Sequence, residues 1–181
     1  MIIPHHRAPL QQGPALAFVA LGANLDDPVA QVRAAGEALA DLPQSKLLRL
    51  SSLYRTAPVG IHGQPDFINA VAALETQLTP HELLAALLAL EVRFGRRRDF
   101  HHAPRTLDLD LLLFDAQTVA SEQLTLPHPR MHLRAFVMAP LLEIAPDCLI
   151  PGRGSAAAWL AAVSMQHIEQ LEPAAGAMIL P

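Results

Sequence analysis

Asp108 and Asp110 stand at i and i+2 in the run Leu107-Asp108-Leu109-Asp110-Leu111. On a strand this spacing puts both carboxylates on one face and the three leucines on the other. Aspartate is depleted in strands, and two like charges about 7 Å apart repel unless a cation lies between them. Mg²⁺ is a hard, oxygen-seeking ion held by one or two carboxylates plus substrate phosphates. An isolated D-x-D serves equally as acidic gatekeepers on an exposed edge strand, so its neighbours decide. Lys46 is the only lysine, and five arginines (Arg93, Arg96, Arg97, Arg98 and Arg105) crowd the stretch just upstream. Guanidinium forks clamp phosphate oxygens well. Carboxylates for metal beside arginines for phosphate are the equipment of phosphoryl-type transfer, where catalysis is mostly positioning and charge stabilisation. The bland alternatives are a solvated basic loop and surface pairs worth about 0–1 kcal/mol.

Two further residues are out of place for pure structure. Asn69 sits inside the apolar run Phe67–Thr76, on the same face as Phe67 and Val71. Its amide offers donor and acceptor to a heterocycle edge and Phe67 offers a stacking face, unless adjacent loop backbone satisfies the amide. His128 lies between Pro127 and Pro129, which fix its backbone as a phosphate contact or proton carrier requires; the alternative is a stiff turn with an exposed ring. Arg134 and Phe136 follow shortly. Other chemistries lack their residues. The lone lysine has no Gly-rich run before it, and Gly152-Arg153-Gly154 follows no Rossmann-type strand. The other histidines, including His5-His6 and His101-His102, show no ligand spacing with a cysteine or carboxylate that would suggest zinc, and Ser51 and Ser52 sit in no G-x-S-x-G elbow.

These residues need a frame to hold them. Ala15–Leu21 reads as a buried strand, and Asp26 or Asp27 followed by Pro28 opens a helix ending around 41–43. Lys46–Thr56 alternates as one strand, with Leu48, Leu50 and Ser52 opposite Leu47, Arg49 and Ser51. A Pro/Gly-rich loop follows, and Phe67–Thr76 is the next strand. Thr79-Pro80-His81-Glu82 is a capping box for a helix ending at Gly95, and Leu107–Phe114 is a fourth strand. The order is β-α-β-β-α-β, an α+β, ferredoxin-like arrangement of an antiparallel sheet with its helices packed on it. A hairpin around Val119 and Leu124–Leu126 and helices near 135–144 and 155–163 complete it. Residues 1–14 read as a flexible lead-in, 15–165 as one catalytic domain and 166–181 as a tail.

Composition narrows the class. With 181 residues, 51% hydrophobic, the chain supports one globular core, not a disordered segment. Net charge −4 and 4% aromatics leave little to neutralise phosphates or stack bases, so nucleic acid is not an expected partner. No run approaches the ~18 apolar residues of a membrane span, and the first residues lack a secretory apolar core. Cys148, the single cysteine, permits a reducing compartment, so the expectation is a cytoplasmic domain.

From Ala15 to Asp147 the chain resembles the 6-hydroxymethyl-7,8-dihydropterin pyrophosphokinases of folate biosynthesis. The resemblance rests on Leu21-Gly22-Ala23-Asn24-Leu25, Ser51-Ser52-Leu53-Tyr54-Arg55-Thr56, Gln64-Pro65-Asp66-Phe67-Ile68-Asn69-Ala70, Pro104-Arg105-Thr106-Leu107-Asp108-Leu109-Asp110, Leu126-Pro127-His128-Pro129-Arg130 and Arg134-Ala135-Phe136-Val137, in that order. It implies transfer of pyrophosphate from ATP to the pterin's hydroxymethyl oxygen with release of AMP, by a monomer acting on small molecules. Two Mg²⁺ ions would bridge Asp108, Asp110 and the triphosphate. Phe67 and Phe136 would sandwich the pterin while Asn69 reads its polar edge, with Thr56 and Val59 adding contacts. Arg96, Arg105 and His128 would contact phosphates as catalytic groups, and Arg98, Glu91, Thr125 and Arg134 would serve the nucleotide. The chain departs from the family pattern at His102-Ala103, where an aromatic-glycine pair is usual, at Gln123, at Ala23, and by one residue in the loop after Gly95. Two rival classes stay open here: another Mg²⁺-dependent transferase using a nucleotide-activated donor, and a non-catalytic ferredoxin-like module. The first leaves Phe67, Asn69 and Phe136 unexplained; an RNA-binding form of the second would want aromatic and basic residues on the strand that carries Asp108.

Overall fold

Strand β1 (Ala15–Ala23) is an almost unbroken apolar run because it lies between two other strands with both faces covered. Its neighbours are β4 (Phe67–Thr76) and β5 (Asp108–Phe114), both antiparallel to it. The computed structural model describes residues 13–58, 64–95 and 107–172. Two more strands, β2 (Ser45–Leu50) and β3 (Leu53–Thr56), share the other side of β4.

Helices α1 (Pro28–Leu39) and α2 (Pro80–Arg93) cover one face. Their Val32, Ala35, Leu39, Leu83, Leu87 and Leu90 pack on Val19, Leu21, Ile68, Ala70, Leu109 and Leu111. Both start as their sequences direct. The Asp27 carboxylate accepts the Ala30 N–H, and Thr79 and Glu82 cap each other reciprocally. Gly95, at φ +81°, turns the chain out of α2. Gly36 lets α1 lie against β2, since a Cβ there would come 2.6 Å from Leu50 Cδ2. α1 ends at Leu39, two residues short of the expected stop.

The opposite face carries a second layer. Phe18, Val71, Ala73, Leu112 and Leu113 meet Met138, Leu141 and Ile150 beneath α3 (Ala135–Ile144) and α4 (Ala156–Ala162). Hairpins β6 (Val119–Ala120) with β7 (Thr125–Leu126), and β8 (Leu149–Ile150) with β9 (Gly154–Ser155), connect these parts, with one 3₁₀ turn at Met131–Leu133. The frame is the ferredoxin-like β-α-β-β-α-β order with an added helical layer. Among the described residues no helix is long and apolar enough to cross a membrane.

Two expectations need correction. Lys46–Thr56 is not one regular strand. Leu50 faces Ala72 and Tyr54 faces Asn69, so three residues oppose two, and the register also slips between Leu47 and Arg49. Ser51 bridges the break by accepting the Val71 N–H on its hydroxyl while its own N–H donates to the Val71 carbonyl. Second, β10 (Glu169–Glu172) pairs with β3 at the sheet edge, in a stretch where the sequence suggests only tail. The face bearing Asp108 and Asp110 is continued by Leu112 and the helical layer.

Candidate active site

The three central strands set out a grid. Gly22 of β1 lies opposite Asn69 on one side and Asp108 on the other, and Ala20 lies likewise between Val71 and Asp110. The amide and the paired carboxylates therefore share a face, separated only by residues too small to fill it. Above this grid lies a hollow of ≈ 530 Å³, bordered by Thr56, Phe67, Asn69, Asp108, Asp110 and, from the helical layer, Arg134 and Phe136. A second hollow of ≈ 340 Å³ opens on the other side of the same aspartates, bordered by Leu84, Leu88, Gln123, Thr125 and His128.

Asn69 is 5% exposed and oriented by its own strand neighbours. Its Nδ2 donates to Thr56 Oγ1 at 3.0 Å and to the Tyr54 carbonyl at 3.4 Å. Its Oδ1 thus turns toward Gly22, where an added Cβ would lie 3.5 Å from it. The donor side is thus satisfied by β3, not by adjacent loop backbone, and the acceptor side lies at the hollow. Asn24, also buried, donates to Gln64 and the Pro65 carbonyl and ties the approach to β4 onto the end of β1.

Asp110 has its Oδ2 3.7 Å from an Arg134 guanidinium nitrogen and 3.8 Å from His128 Nε2. His128 is held in turn by the strand carrying the aspartates. At Leu112 the β1–β5 register slips by one residue, and the Leu112 carbonyl accepts the His128 N–H at 2.9 Å. Burial pushes the His128 imidazole below its usual pKa; Asp110 opposes this and Arg134 adds to it. With Nδ1 accepting the Arg130 N–H, the neutral ring presents its Nε2 proton toward Asp110.

Glu91 lies behind the strand. It is 1% exposed on α2, and its Oε1 accepts the Leu109 N–H at 2.7 Å, between the two aspartates. It acts on the site through β5, which is an outer strand of the sheet. Val59, Arg96, Arg98, Arg105 and the His102-Ala103 departure lie outside the described residues. Sequence reasoning passed over Arg130, Leu133 and Gln166, which also border the larger hollow. Arg130 stood in a quoted motif, but no local pattern marks Gln166.

Asp108 and Asp110 offer hard oxygen donors, and among the described residues no third acidic, histidine or cysteine side chain completes a cage. That donor set suits Mg²⁺, which keeps waters and takes phosphate oxygens for its remaining positions.

The fold and site define a ferredoxin-like domain with a carboxylate pair set between two hollows. The family model for 7,8-dihydro-6-hydroxymethylpterin-pyrophosphokinase matches residues 18–146, and the chain belongs to this family. It is 46% identical over 154 residues to the 2-amino-4-hydroxy-6-hydroxymethyldihydropteridine pyrophosphokinase of Pseudomonas aeruginosa, covering 85% of this chain and 95% of that one. The enzyme of the same name from Haemophilus influenzae is 46% identical over 135 residues, 75% of this chain and 84% of that one. Among solved structures, an HPPK-DHPS in complex with substrates superposes with a TM-score of 0.69 at 11% identity, over 83% of this chain. This chain spans 43% of that one's length, and the likeness bears on the fold alone.

Proposed function

We infer that Asp108 and Asp110 hold the Mg²⁺ of an ATP-dependent pyrophosphokinase, with the pterin in the larger hollow and the triphosphate reaching in from the smaller. The chain is a transferase of folate biosynthesis by its family. The reaction joins the hydroxymethyl oxygen of 6-hydroxymethyl-7,8-dihydropterin to the β-phosphorus of ATP. The bond between that phosphorus and the α-bridging oxygen breaks and its electron pair leaves with AMP, while the hydroxymethyl O–H bond breaks and its proton passes to solvent. The observation that carries the assignment is that the same two carboxylates border both hollows. Two substrates on opposite sides meet only there.

Each side chain then has a task. Phe67 and Phe136 pack on the ring faces, and Asn69 Oδ1 accepts from a ring N–H while Thr56 holds its amide. Thr125, His128 and Arg134 serve the nucleotide, with Arg96, Arg98 and Arg105 as the further phosphate contacts and Val59 as a further pterin contact. Glu91 keeps β5 in register at Leu109. Two Mg²⁺ ions bound at Asp108 and Asp110 would neutralise charge on the triphosphate as it develops. We propose further that residues 15–165, completed by Gln166 and β10 from beyond that stretch, form one catalytic domain, active as a monomer in the cytoplasm without nucleic acid.

Incubating the protein with ATP, Mg²⁺ and the reduced pterin and resolving the nucleotides tests this. AMP in step with pterin consumption is the expected result, abolished by EDTA. ADP instead of AMP would refute pyrophosphoryl transfer, and EDTA-resistant turnover would refute the metal.

A further inference from the structure

Helix α3 begins without a cap of its own. Its N-cap is Arg134, whose side chain makes no capping hydrogen bond, and a guanidinium has no acceptor to offer. The first N–H groups of a helix have no partner within it. At Ala135 the partner comes from 31 residues further along the chain, where Gln166 Oε1 accepts the N–H at 2.8 Å. The same amide's Nε2 donates to the Leu133 carbonyl at 2.8 Å. One side chain therefore grips the backbone on both sides of Arg134.

What it grips is the wall of the larger hollow. Arg134 is held extended at φ −124° and ψ 108°, its guanidinium reaching Asp110 and standing 5.6 Å from the centre of the Phe136 ring. Gln166 is anchored by its own N–H on the Val163 carbonyl at the end of α4. It borders the hollow, and it is the described lining residue that falls outside the family-matched stretch 18–146.

We propose that Gln166 is a positioning residue for the acceptor substrate, fixing the turn from Leu133 to Phe136 and with it the wall against which the pterin ring packs. This rests on the assignment of Phe136 to that ring. Gln166 and Leu133 are both exposed, so water takes over the Leu133 carbonyl once the amide is gone; Ala135 is buried, so its N–H loses its acceptor and the folded state is weakened by that one bond. The turn also gains freedom that substrate must remove on binding. The effect falls on the KM for the pterin and spares kcat.

Three variants test this by steady-state kinetics at saturating ATP, with thermal unfolding alongside. Gln166→Met keeps the volume and loses both hydrogen bonds. It raises the pterin KM about fivefold, with kcat within about twofold and the unfolding midpoint within about 4 °C of the parent. Gln166→Glu keeps the acceptor for Ala135 but not the donor for Leu133, and falls between the two. Phe136→Ala tests the underlying assignment and raises the pterin KM by itself. An unchanged KM in Gln166→Met overturns the inference, as does a KM rise accompanied by a larger loss of midpoint. If Phe136→Ala raises KM while Gln166→Met does not, only the role of Gln166 falls. If Phe136→Ala changes nothing, the assignment of the wall falls and the inference with it.

Discussion

Glu143, on α3, is exposed, yet it holds the break between β2 and β3 in place. Its carboxylate accepts the Ser52 N–H at 2.9 and 3.1 Å, the Ser52 hydroxyl at 2.8 Å and the Tyr54 hydroxyl at 2.8 Å. Ser52 and Tyr54 are 3% and 8% exposed, so removing the carboxylate leaves their donors with little water. Bonds to a charged acceptor are worth about 1.5–3 kcal/mol when buried; solvent at Glu143 places these three near about 1 kcal/mol each. Glu143→Ala should therefore cost about 2–3 kcal/mol, or about 5–10 °C in unfolding midpoint for a domain of this size. Tyr54 keeps its proton at working pH, because burial, then the hydrogen bond and charge of Glu143, push its pKa above the ordinary value. The sharper measurement is a double-mutant cycle in urea with Tyr54→Phe, expected to give a coupling of about 1 kcal/mol. Additivity within about 0.3 kcal/mol would show that the Tyr54–Glu143 contact carries no energy and would refute the reasoning.

Asp110→Ala should lower turnover by at least about 10²–10³-fold while leaving the unfolding midpoint intact or raised, since it also removes a like-charge neighbour of Asp108; wild-type turnover in a folded variant would remove the carboxylates from the chemistry. Asn69→Leu keeps the volume but withdraws the acceptor, and should raise the pterin KM at least about tenfold with little change in the KM for ATP; equal shifts in both constants would contradict the division into two hollows. His132 is 5% exposed, set edge-on to Trp159 at 4.6 Å, and burial followed by the Arg153 charge pushes its pKa below the ordinary value of 6.5. Between that lowered value and about 6.5 the unfolded chain binds more protons than the folded one, so stability is complete above about pH 6.5 and is lost as pH falls through this window. His132→Phe should flatten that part of the stability–pH curve, and an unchanged slope in urea titrations from pH 7 to 5 would show that His132 is not its source.

Much of this was legible where local rules act alone. The period-two placement of Asp108 and Asp110, the capping box at Thr79 and Glu82, and the helix over Ala135–Ile144 each need only neighbouring residues, and each stands where the sequence puts it. The split at Ser51 and Ser52 was not legible, because a serine hydroxyl replaces a main-chain acceptor there and a distant glutamate supports it. Nor was β10: Glu-Gln-Leu-Glu has no strand signature of its own, and β3 supplies its hydrogen-bond partners. Glu91 did leave a trace, as an acid one turn beyond Leu87 on the buried face of α2, but its bond to Leu109 needs the fold.

Why the site lies at this end of the sheet follows from β1. Ala17, Val19 and Leu21 face the α1–α2 layer and are fully packed, while on the other face Phe18 gives way to Ala20 and then Gly22. The side chains beneath the helical layer thus shrink along the strand, and packing opens into a hollow where they vanish. Neighbouring strands lie about 4.8 Å apart, so Asn69 and Asp108, one strand either side of Gly22, are held about 10 Å apart by backbone hydrogen bonds. The distance from the Asn69 amide to the paired carboxylates is therefore a property of the sheet. A side chain larger than glycine or alanine at either β1 position would leave that distance unchanged and fill the space between. Ala20 and Gly22 thus do as much to make a site of this face as the charged residues beside them.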